Sequence, residues 1–324
     1  MKRLLLVFTL MFCVFTIVGC GAQPSNIEIT PVTTDLITSP SDNNIIMVYY
    51  TKASFLTPVS IVVKNAETQV DNAVNILFSG ISPEGFENNL TNVTLNSYNI
   101  CGDTVNIDVS EEFLKGDITA RRIDQIVYTL TDCDNIFHVN ITVNGDSLGT
   151  SFERPLFINL QNSEELEKDK DNPDELRKYL VIFYTDKDKD YLIPVTIKSD
   201  KVKVGSQKES KVEDLAKAAL QHLIETPDNI NVLATFPKGI EIKSLQIADG
   251  IATVDLDTKS LLNFIHEAKY AEIAIESVVR TLTAIDDIEK VQFLFNGTKY
   301  GYVTSNVSVE NPIKPDKWYN ILTD

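Results

Sequence analysis

Hydrophobic and polar positions follow the same pattern in two halves of the chain. Each half begins with two short apolar runs joined by a polar insert, at 48–51 and 56–59 in the first half and at 182–185 and 192–195 in the second. Runs of this length between polar turns are typical of β-strands, so each half is predicted to begin with a hairpin. The second run of each hairpin contains a proline, which has no N–H to donate and therefore favours an edge strand or a strand start.

Apolar residues at helical spacing follow each hairpin. The i, i+3, i+4, i+7 spacing of one buried helix face is met by Val70, Ala73, Val74 and Leu77 and by Ala216, Ala219, Leu220 and Leu223. A later helix in each half ends in Thr-Leu-Thr, at 129–131 and 281–283. Its apolar face consists of Ile123, Ile126, Val127 and Leu130 in the first half and of Ile275, Val278, Val279 and Leu282 in the second. Each half is therefore predicted to contain two amphipathic helices.

Strict alternation of apolar and polar residues marks the remaining strands. It occurs at 105–109 and 252–256, after turns at 101–103 and 248–250 that contain the glycines needed in hairpins. A last alternating strand in each half ends in Asn-Gly. The predicted order in each half is β-β-α-β-β-α-β. Because every helix and strand has an apolar face to bury, the predicted fold class is α/β, an α+β two-layer sandwich present as two tandem repeats.

The repeat also divides the chain into predicted domains. We assign residues 45–160 to a first domain and residues 178–324 to a second domain with a C-terminal tail. The strongly charged stretch 161–177 between them is typical of an interdomain linker. Ser, Thr, Pro and Asn are frequent in residues 20–44, which show no amphipathic period and are predicted to form a flexible tether. Residues 1–19 are predicted to be a signal peptide.

The predicted signal peptide has the features of a lipoprotein signal. Lys2 and Arg3 form a basic start, and residues 4–18 are uncharged but too few for a comfortable membrane span. They lead into Ile-Val-Gly-Cys at 17–20, which resembles a bacterial lipobox. The resemblance implies cleavage before Cys20 and lipidation of that residue with diacylglycerol and palmitate, which would anchor the protein at a membrane. The alternative is an uncleaved anchor with an incidental cysteine.

Charge and cysteine content narrow the candidate functions. The 324 residues include 29 Lys and Arg against 46 Asp and Glu, which gives a net charge of −17. Such a chain repels the phosphates of nucleic acids and anionic lipid headgroups, so no nucleic-acid partner is expected. Cys13 leaves with the signal peptide. Cys101 and Cys133 could pair as a disulfide in an exported protein, but two isolated thiols are at least as consistent with the sequence.

The sequence contains no motif for catalysis, for a cofactor or for a metal. His138, His222 and His266 lack the spacing of metal ligands and are expected to be surface or half-buried residues. Asp108 and Asp255 occupy matching places at the ends of hairpins, where capping or turn formation before a helix is favoured over catalysis. We therefore predict that the protein is not an enzyme and has no catalytic, cofactor-binding or metal-binding residues.

The sequence Asp-Lys-Asp-Lys-Asp at 186–190 resembles the opening of a calcium loop. The sixth position of such a loop requires glycine, and Tyr191 stands there instead. The twelfth position requires glutamate, and Ile197 stands there. The matching insert of the first half, at 52–55, contains no carboxylates. The prediction is therefore a solvated hairpin turn.

Taken in order, these motifs resemble the GerMN domain. The set comprises a Tyr-Thr strand, a Leu-x-Pro-Val strand, a helix with Ala-Val-x-x-Leu, a hairpin ending in aspartate, a helix ending in Thr-Leu-Thr and a strand closed by Asn-Gly. Phe-Pro-Lys-Gly at 236–239 fits the family, whereas the first half has Leu-Thr-Asn at 90–92 and lacks that proline. The chain resembles the GerM-type sporulation and germination lipoproteins, with two tandem GerMN domains.

The resemblance implies a fold like the ring-building modules of sporulation channel proteins. It also implies a structural or assembly factor held on the extracytoplasmic face of the cell membrane, between mother cell and forespore. Its expected partners are other envelope or sporulation channel proteins. Association with further copies of itself is left as an alternative. The alternative function is a lipoprotein that binds a small molecule or a cell-wall glycan between its two domains. Tyr49, Tyr50, Phe183 and Tyr184 could then stack on sugars, although strand aromatics are mostly core residues.

Overall fold

The structure is a computed structural model. It describes residues 45–322 apart from 65–66, 203–211, 226–230, 237–238, 260–261 and 263–267. The predicted signal peptide and tether, Cys20 and His266 lie outside the described residues. Over the described ranges, no helix combines the length and the apolar character that crossing a membrane requires.

The first half of the chain forms a first module of two small sheets and two main helices. Its elements are β1 (Ile45–Lys52), β2 (Phe55–Val62), α1 (Gln69–Leu77), β3 (Leu95–Cys101), β4 (Thr104–Val109), a 3-10 turn (Glu111–Leu114), α2 (Thr119–Thr131), β5 (His138–Val143), β6 (Asp146–Ser147) and β7 (Phe152–Glu153). β1 and β2 form an antiparallel hairpin. In the second sheet, β3 and β4 are antiparallel, β4 and β5 are parallel, and β5 also pairs with β6 and β7.

The second half forms a second module with the same order of main elements. After two short helices, α3 (Ser163–Asp169) and α4 (Pro173–Leu176), come β8 (Tyr179–Thr185), β9 (Leu192–Lys198), α5 (Val212–Ile224), β10 (Ile242–Ala248), β11 (Ile251–Leu256), α6 (Ala268–Thr283) and β12 (Lys290–Phe295). β8 and β9 form a hairpin, and β10, β11 and β12 form a sheet with the strand directions of β3, β4 and β5. The predicted fold class and repeat are confirmed.

Local sequence signals account for the turns and helix starts. Gly102 (φ 64°), Asp249 (φ 50°) and Gly250 (φ 73°) adopt the left-handed conformation in the predicted hairpin turns. α1 begins with a capping box, in which the Thr68 side chain accepts from the N–H of Asp71 and the Asp71 side chain accepts from the N–H of Thr68. These bonds satisfy backbone donors that the first helical turn leaves open.

Each module has its own core, built from the predicted helix faces. All of the predicted apolar residues of the four main helices are buried, except Ile123, which is half-buried. In the first module they pack with Val105, Ile107 and Val109 of β4. In the second module they pack with Ala252, Val254 and Leu256 of β11. The alternating strands therefore turn the apolar side toward the helices, as predicted.

The hairpin β1–β2 is buried on both faces. One face of β1, with Ile46, Val48 and Tyr50, belongs to the core of the first module. The other face, with Ile45, Met47 and Tyr49, packs in a separate cluster with Ile158 and Trp318. A two-layer sandwich alone leaves this second face open. The run of six apolar residues at 45–50, without alternation, is typical of a strand with two covered faces.

The linker predicted at 161–177 contains α3 and α4 and is attached to the second module. Lys198, at the end of β9, places its Nζ 3.1 Å from Glu165, 2.7 Å from Asp169 and 3.2 Å from Glu175. Hydrogen bonds to these carboxylates, first that to Asp169, raise the pKa of Lys198. One lysine thus gathers three carboxylates of this charged segment against the sheet.

A threonine from the late helix of each module satisfies a backbone N–H of the hairpin. In each hairpin the residue with this N–H lies opposite a proline, and its N–H points away from the neighbouring strand toward a helix. Tyr49 donates to Thr129 Oγ1 at 3.1 Å, and Phe183 donates to Thr281 Oγ1 at 3.0 Å. The first threonine of each Thr-Leu-Thr therefore links a helix to a hairpin by a hydrogen bond, α2 to β1 and α6 to β8.

We expect Thr281→Val to lower the free energy of unfolding by about 1–3 kcal/mol, because the N–H of Phe183 loses its acceptor while the side-chain volume is kept. Thr129→Val is expected to cost about as much through Tyr49. Chemical denaturation followed by circular dichroism measures both losses.

The matched control is Thr283→Val, in the same Thr-Leu-Thr. The Thr283 hydroxyl donates only to carbonyls of its own helix, that of Val279 at 2.8 Å and that of Arg280 at 3.5 Å. Its replacement is expected to change stability by less than about 0.5 kcal/mol. Equal losses for the two threonines would contradict the fastening role.

Candidate functional site

Two asparagines at matching positions bridge the junction between the modules. Asn159 follows the first module and pairs with both backbone groups of Leu56, accepting from its N–H at 2.8 Å and donating to its carbonyl at 2.7 Å. The same amide donates to the carbonyl of Pro194 at 2.7 Å. A single side chain therefore binds β2 of one module and β9 of the other.

Asn320 repeats this arrangement in the opposite direction. Its amide pairs with Leu192, at 2.7 Å for each bond, and donates to the carbonyl of Pro58 at 2.8 Å. Asn159 and Asn320 both have positive φ, 52° and 51°. Asparagine adopts this left-handed conformation more readily than most other residues with a side chain. The amides supply the donors that prolines on β2 and β9 cannot provide.

The segments around these asparagines cross the junction in opposite directions. We call residues 154–161 the first strap and residues 315–322 the second strap. The first strap leaves the first module and binds the second, where Thr196 donates to the carbonyl of Ile158 from its N–H at 3.0 Å and from its hydroxyl at 2.7 Å. The second strap leaves the second module and binds the first, where the N–H of Ser60 donates to the carbonyl of Asn320 at 3.2 Å. Each module is clasped by the strap of the other.

The hairpin tips are exchanged as well. Phe55 of the first hairpin is buried in the core of the second module, and Tyr191 at the matching position packs on the core of the first. Lys52 Nζ lies 3.5 Å from Asp186 Oδ2 and above the rings of Phe86 and Tyr191, at 4.8 and 5.0 Å. Lys52 and Asp186 also hold matching positions in their hairpins. The duplicated site therefore carries opposite charges where identical residues would repel.

Each strap is anchored by an arginine interaction. Arg154 donates to the hydroxyl of Tyr49 at 2.7 Å and forms a 3.0 Å ion pair with Asp132. Arg280 of α6 stacks on the ring of Tyr319, 3.6 Å from its centroid. Stacked and paired guanidinium groups of this kind fix orientation as well as contributing energy. The direction in which each strap leaves its module is therefore set by specific contacts.

The aromatic residues considered for sugar stacking serve the cores and the junction. Tyr49, Tyr50 and Tyr184 are buried. Phe183 is half-buried and meets the ring of Tyr319 edge-on, with centroids 6.0 Å apart. A cleft of about 460 Å³ does open beside the first strap, lined in part by Ser54, Arg121, Asp124 and Gln161. Tyr49, Tyr50, Phe183 and Tyr184 do not line this cleft.

Asp108 and Asp255 stabilise turns, although the turns are not those before the next helix. Asp108 accepts from Thr142 Oγ1 at 2.6 Å and from the N–H of Gly145 at 2.8 Å. Asp255 accepts from the N–H of Gly297 at 3.0 Å. Desolvation raises the pKa of Asp108, but the hydrogen bonds outweigh it and the pKa is lowered. The two carboxylates therefore close the Asn-Gly turns after β5 and β12.

The histidines lie apart in the described part of the chain. His138 is half-buried on β5, and its Nδ1 lies 3.8 Å from Glu153. His222 Nε2 lies 3.0 Å from Ser199 Oγ, and burial lowers its pKa. Over the described residues, no three His, Cys, Asp or Glu side chains are grouped so that they could hold a metal ion.

The stretch at 186–190 forms a hairpin turn. Asp186 Oδ1 accepts from the N–H of Asp190 at 2.8 Å and from the N–H of Tyr191 at 3.0 Å. Asp186 itself is buried and pairs with Lys52 across the junction. The predicted turn is confirmed, but its first carboxylate is not solvated as predicted, because the tip of the first hairpin covers it.

Both remaining cysteines are free thiols. Cys101 is exposed at the end of β3, and Cys133 is buried after α2, with its Sγ 3.8 Å from the carbonyl of Thr129. The disulfide that the sequence left open is not formed in the structure, because one thiol belongs to a strand end and the other to the core of the first module. Burial raises the pKa of Cys133 to about 12.

The straps are the part of this site that the sequence analysis missed. Phe-Ile-Asn-Leu at 157–160 matches Trp-Tyr-Asn-Ile at 318–321, and each lies beyond the last strand of its module. This repeat beyond the last strand of each module was the sequence signal from which the straps could have been predicted. The predicted domain limits place the two matching segments inside the first domain and in the C-terminal tail, and neither assignment anticipates that they change places.

We expect Asn159→Gly and Asn320→Gly each to lower the free energy of unfolding by about 2–4 kcal/mol. Each change removes three hydrogen bonds worth about 1 kcal/mol apiece, while glycine keeps the left-handed backbone. Denaturant titration measures the loss, and a second transition would show that the modules have separated.

The control for these variants is Asn135→Gly. Asn135 has a positive φ of 62° and is exposed. Glycine there should be neutral or slightly stabilising, because the backbone conformation is relieved without loss of a bridge. A loss at Asn135 as large as that at Asn159 would contradict the bridging role.

Alkylation should distinguish the two thiols. At pH 8 the exposed Cys101 is expected to react at least tenfold faster than Cys133, because the thiolate is the nucleophile and the pKa of Cys133 is about 12. Timed labelling with iodoacetamide and peptide mass spectrometry follows each site. In denaturant both should react at similar rates. Fast native labelling of Cys133 would contradict its burial.

Comparison with known proteins agrees with this architecture. The structure of the tandem GerMN domains of the sporulation protein GerM from Bacillus subtilis matches with a TM-score of 0.61 and 21% identity, over 86% of this chain and 99% of that chain. The first GerMN domain of that protein covers 43% of this chain and 95% of its own, at 21% identity and a TM-score of 0.31. A putative lipoprotein from Clostridium perfringens covers 43% and 90%, at 22% identity and a TM-score of 0.30.

No curated protein sequence matches this chain. At 21% identity, the likeness to the tandem domains shows the fold alone. The sequence model of the family Germane, described as sporulation and spore germination, matches residues 47–149 and 181–301. These two ranges fall on the two modules and together cover more than half of the sequence. The chain belongs to the Germane family of sporulation and spore germination proteins.

Proposed function

We propose that this protein is a non-enzymatic envelope lipoprotein that acts as a structural or assembly factor in sporulation and spore germination, through protein–protein interactions. The observation that carries the proposal is the interlocked pair of family modules. Asn159 and Asn320 each bind both modules, and Phe55 and Tyr191 are exchanged between them. Such an interlock holds two related surfaces together, which suits the positioning of other proteins.

The electrostatic character of the chain supports a protein partner. A net charge of −17 disfavours polyanions such as nucleic acids and favours partners with basic surfaces. The aromatics of the alternative glycan-binding function are used within the modules and the junction. These observations favour protein–protein interaction over glycan binding.

Membrane attachment is the second element of the proposal. The lipobox-like sequence before Cys20 is followed by a polar stretch up to β1. Lipid on Cys20 would hold the interlocked modules on the extracytoplasmic face, and the stretch would let them reach partners away from the bilayer. In sporulating cells, the proposal is that they lie between the mother-cell and forespore membranes.

Deletion of the gene in its own spore-forming host is expected to lower the yield of heat-resistant spores or their germination at least tenfold. The wild-type gene should restore both, and Cys20→Ala should restore neither while its product leaves the membrane fraction. Spore counts and fractionation measure these outcomes. Cys101→Ala is the control, because this exposed thiol should be dispensable. Normal sporulation and germination of the deletion strain would overturn the proposal.

A further inference from the structure

The second module carries an open groove beside the first strap. Its volume is about 540 Å³, and its apolar lining includes Leu156, Phe157, Leu215 and Ile285. Leu156 is 78% exposed, the highest value among the large hydrophobic residues that the structure leaves exposed. Most of the Leu156 side chain is therefore in contact with water. Covering it with an apolar group of a docked partner would be favourable, because apolar surface would be removed from water.

The matching place on the first module shows what the groove lacks. By the alignment of the straps, Leu156 and Phe157 correspond to Lys317 and Trp318. Lys317 pairs with Asp134 at 3.0 Å, and its Nζ lies 4.7 Å from the centre of the Trp318 ring. On the first module, therefore, this chain itself supplies a lysine beside an aromatic residue and a carboxylate to receive it.

The second module has the matching carboxylate but no matching lysine. Asp286 corresponds to Asp134, and Asp287 lies beside it; both line the groove and are exposed. Within the described part of the chain, neither forms an ion pair with a Lys, Arg or His side chain. Leucine at 156 cannot replace the missing cation. The groove thus combines an uncovered apolar wall with two carboxylates.

We propose that this groove docks a protein segment in which a Lys or Arg lies next to a large apolar side chain. The apolar side chain would cover Leu156 and Phe157, and the cation would pair with Asp286 as Lys317 pairs with Asp134. Arg177 also lines the groove and can donate to a backbone carbonyl of the bound segment. The inference rests on the proposed function and names the chemistry of one partner surface.

Binding of a defined probe tests the groove directly. The probe is a fluorescein-labelled peptide, Gly-Lys-Trp-Lys-Leu-Gly. The control peptide has glutamate in place of both lysines. Fluorescence anisotropy with the full-length protein should show saturable binding of the first peptide only. Leu156→Glu and Asp286→Lys should each weaken it at least tenfold. Leu114→Glu, at a leucine 49% exposed on the first module, should leave it unchanged.

Three results would overturn the groove proposal in vitro. They are no saturable binding, binding that Leu156→Glu and Asp286→Lys leave unchanged, and equal binding of the glutamate peptide. Circular dichroism shows that each variant is folded. Self-association that depends on Leu156, without peptide binding, would assign the groove to a second copy of this chain and would also overturn the proposal.

The same variants separate this proposal from the proposed function in cells. In the deletion strain, a gene with Leu156→Glu and Asp286→Lys should restore spore yield at least tenfold less than the Leu114→Glu gene. Full rescue by the groove variant, in a strain whose deletion impairs sporulation, would overturn the groove alone. A deletion strain that forms and germinates spores normally would overturn the proposed function instead.

Discussion

Two prolines on facing strands decide how the modules of this protein meet. Pro58 and Pro194 have no N–H, so at these positions β2 and β9 cannot donate to one another. The amides of Asn159 and Asn320 supply the missing donors, and each also binds a leucine backbone on the opposite strand. The straps that carry these asparagines thereby connect β2 and β9 across the junction.

The exchange of side chains makes each core depend on the other module. Domains joined within one chain usually move relative to each other unless their interface is large and apolar. Here, separating the modules would remove Phe55 from the core of the second module and uncover Tyr191, which packs on the core of the first. Fully burying a phenylalanine side chain is worth about 1.5–3 kcal/mol. The modules are coupled because their interface shares residues with their cores.

The duplicated positions show where the two modules have specialised. Lys52 and Asp186 correspond in the repeat and contact each other, so a junction between two first modules would place lysine against lysine. The charge pair therefore favours the first–second pairing over pairing of like modules, because like charges at such a site are costly. Leu156 and Lys317 differ in the same way, with the lysine satisfied within the chain and the leucine left exposed. The asparagine bridges, by contrast, are the same in both straps.

Hydrophobic spacing predicted which residues are buried, but it could not predict which neighbour buries them. The helix faces, the hairpin turns and the repeat follow from local patterns, and all are found in the structure. Tyr191 is an apolar residue in a polar turn, and nothing local indicates that it enters the other module. The unbroken apolar run of β1 did carry the information that both faces are covered. The asparagine bridges needed the late repeat at 157–160 and 318–321 to be recognised.

The place where the predicted tether joins the fold links the junction to membrane attachment. Ile45, the first residue of β1, is buried in the cluster that contains Ile158 and Trp318. A pull from lipid on Cys20 would enter the protein at β1, between the core of the first module and the two straps. Because the second strap is bonded to β2 at Ser60, the strand that carries the load is held by its own hairpin and by the chain end of the other module. A pull on the predicted tether would therefore act on β1 at the place where residues of both straps contact it.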